Sequence, residues 1–189
     1  MNTLKKYDTH KMVLGAIMTA FVIILQFMGA FVRFGPFSIS LVLIPIVIGA
    51  AQCGAMMGAW LGLVFGIVVL ISGDAAAFLA VNAPGTVITV ILKGVLCGYL
   101  AGLTYKLLYR FNRYLAVSLA AVVCPLVNTG VFLIGCLVFF MDTISAWAGG
   151  AAVWKYMIFV LVGGNFLFEL LSNIILSPVI VRLLNINKR

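Results

Sequence analysis

Six polar residues stand inside runs that are otherwise apolar: Gln26, Lys93, Asn128, Asn165, Glu169 and Asn173. Three of them share the stretch GGNFLFELLSN, Gly163 to Asn173. Asn165, Glu169 and Asn173 are spaced four apart, so a helix would line them along one face. A lone carboxylate in low dielectric seeks a cation or a pair of N–H donors. Lys93 seeks a carboxylate or carbonyl oxygen, and each asparagine amide can both donate and accept. Such groups could bind a polar small molecule. They could also form a Lys93–Glu169 ion pair that ties two helices together, although burying an ion pair stabilises little because desolvation offsets attraction. A proton or ion relay is the third option, but relays use several carboxylates in series and only Glu169 lies deep.

Catalysis has no support in the sequence. There is no G-x-S-x-G, no H-E-x-x-H and no pair of aspartates at helical spacing, and the one histidine, His10, sits near the N-terminus. Cys53, Cys97, Cys124 and Cys136 are scattered through apolar segments without metal-ligand spacing, and read as small apolar filler. The expected cofactor and metal content of this chain is none. A Walker A motif is also missing, so any ATP must be used by partner subunits.

The elements that position these groups follow from composition. Of 189 residues, 65% are hydrophobic and 8% charged, against about 25% charged in soluble domains. That much apolar surface requires lipid as its solvent. The expected fold is an all-α integral membrane protein, one domain over 1–189, with a bundle of six transmembrane helices at approximately 11–31, 39–51, 54–72, 86–109, 115–140 and 153–184. The first run is too long for a cleaved signal and reads as a retained helix. The apolar region 39–72 is too long for one span and divides near Ala51–Ala55. Gly54, Gly58, Gly62 and Gly66, and then Gly94, Gly98 and Gly102, recur every four residues, which favours close backbone packing between helices.

The net charge of +8 does not indicate nucleic acid, because the basic residues flank apolar runs. With six spans, Lys5, Lys6, Lys11, Lys106, Arg110, Arg113, Arg182, Lys188 and Arg189 fall on one side. Arg33 and Lys155 fall on the other. The positive-inside rule then puts both termini in the cytoplasm. In that topology Lys93, Asn128, Asn165 and Glu169 converge on the outward half. The outer loops add Arg33, Asp74, Asn82 and Trp147, and Phe34, Phe37, Phe78 and Phe166 offer flat contacts to a ring. A pocket of this kind is mostly apolar with a few directed polar groups, as small-molecule sites are.

Several stretches together resemble the substrate-binding S components of energy-coupling factor (ECF) vitamin transporters. In GAIMTAF, Ala16 and Ala20 match the A-x-x-x-A signature of the first helix. Further likenesses are ISLVLIPIVIGAAQCGAMMGAWLGLVFG, the LKG of the fourth predicted helix, NTGVF, and GGNFLFELLSNIIL. The resemblance covers nearly the whole chain. It implies capture of a water-soluble vitamin or precursor, of pantothenate, folate, riboflavin or deazapurine type. It also implies docking through Ala16 and Ala20 on a transmembrane coupling subunit that carries two ATPases, in the plasma membrane of a prokaryote. Site residues carry over by region: Lys93, Asn128, Asn165 and Glu169 first, with Asp74, Asn82 and Arg33 behind them. Riboflavin-type members have a lysine three residues after the sixth-helix asparagine, where this chain has Phe168. A self-sufficient proton-coupled permease, with Glu169 as its proton carrier, is the alternative of a different class.

Overall fold

Apolar runs long enough to hydrogen-bond their own backbone become helices, because lipid offers the peptide groups no partner. The computed structural model describes the backbone of residues 2–31, 33–34, 37–38, 41–150 and 152–186, and the side chains of residues 9–29, 41–150, 152–178 and 180–182. Helix α1 spans Asn2–Phe31 and is followed by a minimal antiparallel hairpin, β1 (Arg33–Phe34) and β2 (Phe37–Ser38). Then come α2 (Leu43–Cys53), α3 (Ala55–Ile71), the short α4 (Ala76–Leu79), α5 (Ala83–Leu108), α6 (Arg113–Phe139), α7 (Met141–Trp147), α8 (Val153–Lys155) and α9 (Gly163–Ile186). A π-helical segment, Tyr156–Val162, joins α8 to α9 without a break.

Among the described residues, four helical stretches are long and apolar enough to cross a membrane: Thr9–Gly29, Ala83–Leu108, Arg113–Phe139 and Val153–Pro178. The helices α2 and α3 are apolar but shorter, at 11 and 17 residues. The division expected near Ala51–Ala55 falls on one residue, Gly54, whose φ of 99° is open to glycine and strained for other residues. A side chain at Gly49 would strike Leu61, and one at Gly58 would come within 2.8 Å of Ala50 Cβ. Those contacts fold α2 back along α3.

The glycine spacing is used inside the molecule. A Cβ on Gly58 would meet the carbonyl oxygen of Gly98, and one on Gly62 that of Gly94; a Cβ on Gly66 would lie 3.0 Å from the carbonyl oxygen of Val90. These pairs run in opposite directions along α3 and α5, so the two helices are antiparallel with their backbones in direct contact. Gly102 extends the seam to Ala55, while Gly54 serves the turn instead. On the far side of α5, a Cβ at Gly135 of α6 would collide with Thr89. The α6–α9 pair is antiparallel too, with Asn128 opposite Glu169 and Ser118 opposite Ser177.

Helix α2 is the core. Leu43, Pro45, Ile46, Val47, Ile48, Gly49 and Ala50 are all buried, and α2 touches α1, α3, α5, α6 and α9. Its Ile46 packs 3.1 Å from where a Cβ on Gly98 would sit, in the half of the bundle that holds both chain ends. The outer faces are apolar as lipid requires: Met12, Ile24 and Met28 of α1, Ile134 and Val138 of α6, and Ile175 of α9 are all more than half exposed.

Candidate functional site

The half of the bundle that α2 leaves unfilled contains a cavity of about 240 Å³. Its walls come from the C-terminal parts of α1, α3 and α6, the N-terminal parts of α5 and α9, and the π-helical segment. All of these lie at the end away from the termini. Polar and charged residues on the wall are Gln26, Asp74, Thr86, Thr89, Lys93, Asn128, Thr129, Tyr156, Asn165 and Glu169.

Lys93 enters from α5, one residue before the glycine seam takes up its close contact. Its Nζ sits between two phenyl rings, 5.5 Å from the centroid of Phe65 on α3 and 5.4 Å from that of Phe132 on α6. Both distances are in the range for attraction between a cation and the ring quadrupole. The ammonium forms no hydrogen bond or ion pair with any described residue, so the rings hold its charge while its three N–H donors stay available.

Glu169 faces it from α9, with 2% of its surface exposed. Asn128 Nδ2 donates to Glu169 Oε2 and Asn165 Nδ2 to Oε1, each at 3.4 Å. These bonds are longer than the usual 2.7–3.2 Å, so they hold the carboxylate without saturating it. The Oδ1 atoms of both asparagines are buried and accept nothing from the described residues, and the same holds for Thr89 Oγ1. The cavity therefore has two poles: a cation with free donors, and a carboxylate flanked by free acceptors.

Local sequence explains the placement. Pro125 interrupts the hydrogen-bond ladder of α6 one turn before Asn128, since proline has no N–H to donate. The π-helical turns, which bond i to i+5, place Tyr156, Val160, Leu161 and Val162 on the cavity wall. Gly163 ends that segment, where a Cβ would stand 2.7 Å from the Ile158 carbonyl oxygen. The end away from the chain termini is edged by aromatic rings. Phe78 of α4 lies edge-on to Phe132, Phe140 and Trp147, with centroids 5.1–5.5 Å apart. Gln26 Nε2 donates to Asp74 Oδ2 at 2.6 Å and fastens α1 to the loop after α3.

Of the residues singled out in the sequence, Lys93, Asn128, Asn165, Glu169 and Asp74 meet at this cavity, and Gln26 and Phe166 join them. Asn82 stands apart from the wall. Its side chain accepts from Gly85 N at 3.0 Å as the N-cap of α5. Asn173 is also turned away, with its Nδ2 donating to the Glu169 carbonyl oxygen at 2.8 Å. The side chains of Arg33, Phe34 and Phe37 lie outside the described residues. Ala16 and Ala20 are both exposed on α1, to one side of the buried stripe of Gly15, Val22 and Gln26. No ion pair joins Lys93 to Glu169. Phe65, Phe132, Thr89 and the π-helical segment were not anticipated. The first two are apolar residues in apolar helices; the glycine register of α3 against α5 bears on Phe65, and nothing in the sequence marks Phe132 of α6.

A family model described as "ECF transporter, substrate-specific component" matches residues 10–184. Neither the curated proteins nor the solved structures gave a match. With that family model spanning nearly the whole chain, this protein belongs to the substrate-specific components of ECF transporters.

Proposed function

We propose that this chain captures a small water-soluble, vitamin-like molecule from outside the cell and hands it inward by docking on a transmembrane coupling subunit driven by two ATPase partners. As a substrate-specific component it is a transport subunit of a membrane assembly, and ATP would be used by its partners alone. The reading takes all six apolar helices as spans, with both termini cytoplasmic in the plasma membrane of a prokaryote. The distribution of charge supports it. Lys11, Lys106, Arg110, Arg113 and Arg182 gather at the end that holds the chain termini, and cytoplasmic ends carry such excess. The cavity is at the opposite end and so opens outward.

The observation that carries the proposal is the pair of unsatisfied poles around Lys93 and Glu169. Uncompensated polar groups at membrane depth are costly, and a bundle that needed only packing would have placed apolar residues there. The exposed Ala16 and Ala20 would be the docking face, since small residues let a second helix approach closely.

Two measurements test this. Mass spectrometry of the purified chain should find a co-purified metabolite. Uptake of that metabolite should need the coupling module and be lost in Ala16→Leu/Ala20→Leu, which should still bind it. Uptake by cells or vesicles without the module would instead favour the self-sufficient permease, with Glu169 as its proton carrier.

A further inference from the structure

Which molecules fit this cavity can be narrowed by counting charges and unused hydrogen bonds; the step rests on the capture reading. Among the described residues, the charged side chains on the wall are Lys93, Glu169 and Asp74. Asp74 is half-buried at the rim and already receives the Gln26 amide. Deeper in, among the described residues, one positive and one negative group face the same space, Lys93 and Glu169, so their charges balance before anything binds. A ligand with net charge would break that balance in a region of low dielectric, where unpaired charge is expensive.

The unused groups are also sorted in space. Lys93 offers three N–H donors and no acceptor, while Asn128 Oδ1, Asn165 Oδ1 and the Glu169 carboxylate offer acceptors. Asn128 and Glu169 are 5% and 2% exposed, so water reaches them only through the cavity. A volume of about 240 Å³ is below the roughly 300–1,000 Å³ of sites for drug-sized ligands.

We infer that the substrate is a small dipolar molecule of zero net charge, with a carboxylate or carbonyl oxygen on Lys93 and an ammonium or paired N–H donors on Glu169, Asn128 and Asn165. Phe65 and Phe132 then keep the lysine charge stabilised between binding events, and the two asparagines hold the carboxylate open for its partner.

The test uses the full chain in nanodiscs. The molecule that co-purifies is identified by mass spectrometry. A matched trio is then titrated by calorimetry: para-(aminomethyl)benzoate as zwitterion, para-toluate as anion and para-methylbenzylammonium as cation. The co-purified molecule should be net neutral with an oxygen acceptor and N–H donors. The zwitterion should bind roughly tenfold or more tighter than either singly charged probe. Selectivity should reverse with charge, Lys93→Met preferring the cation and Glu169→Gln the anion. A merely structural role for either residue predicts a common loss with no reversal. A net-charged co-purified molecule, or equal binding of toluate and zwitterion, overturns the charge rule and leaves capture standing. If no molecule co-purifies and no probe binds, both the rule and the capture reading fall.

Discussion

The same two helices, α3 and α5, behave in opposite ways at their two ends. Toward the chain termini, Gly58 and Gly62 press on Gly98 and Gly94 so closely that no side chain fits between the backbones. One turn further on the backbones still touch, at Gly66 and Val90, but beside that contact Phe65 and Lys93 turn into a polar cavity. In lipid, apolar side chains gain little by leaving the solvent, so packing must come from close dispersion and Cα–H···O contacts. The glycine seam provides that, with α2 filling the space beside it. A rigid half can then hold a costly half. The ammonium stands on a helix that the seam fixes, and the carboxylate and amides face it from α6 and α9.

The comparison breaks most visibly at the seam. Gly62→Leu should prevent assembly of the bundle, because a side chain there meets the Gly94 carbonyl and has nowhere to go. Gly62→Ala should cost about 1–3 kcal/mol, the usual range for overpacking. Gly130 of α6 has no heavy atom within 4 Å of its Cβ position and is the control: Gly130→Ala should leave the melting temperature in detergent unchanged or slightly raised, since alanine is the better helix former. Equal behaviour of the two alanine variants would mean that the seam does not hold the bundle.

The next effect is on binding. Glu169→Ala should weaken substrate affinity by about 2–3 kcal/mol, roughly 30- to 150-fold, while the protein still inserts and elutes as a folded species. Unaltered affinity would return Glu169 to a packing role. Phe132→Leu should have a smaller effect, about 0.5–2 kcal/mol, because Lys93 keeps the Phe65 ring and loses only one of two. Calorimetry against the co-purified metabolite reads both. A Phe132→Leu loss as large as that of Glu169→Ala would mean that the ring touches substrate directly.

How much of this the sequence reveals differs between the two halves. The seam is legible because glycine every four residues has one physical use on a membrane helix, and Gly94, Gly98 and Gly102 meet partners where that spacing expects them. Lys93, Asn128, Asn165 and Glu169 are legible because polar groups in apolar runs stand out. Phe65 and Phe132 are not, since an aromatic on an apolar helix looks the same whether it faces lipid, core or a cation. The π-helical turns of Tyr156–Val162 leave no mark either, for YMIFVLV has the composition of any apolar helix. Gly163 is their one trace, and only the nearby Ile158 carbonyl shows its use.

Asn82 gives the smallest and sharpest test of where the site ends. By residue type and loop position it belongs with Asp74, and the sequence groups the two. In the structure its Oδ1 accepts from Gly85 N, and its own carbonyl accepts from Thr86 N at 2.9 Å and from Thr86 Oγ1 at 2.8 Å. Those bonds start α5, the helix that carries Lys93. Removing an N-cap of this type costs about 1 kcal/mol, so Asn82→Ala should lower the thermal midpoint by a few degrees and leave affinity within about twofold. Asn82→Asp should restore the midpoint, because aspartate caps as well as asparagine does. If Asn82→Ala instead lost affinity tenfold at unchanged stability, Asn82 would be touching substrate and the site would extend over the rim of α5. Restoration by aspartate separates the two roles, since a cap needs only an acceptor oxygen whereas a substrate contact would feel the added charge.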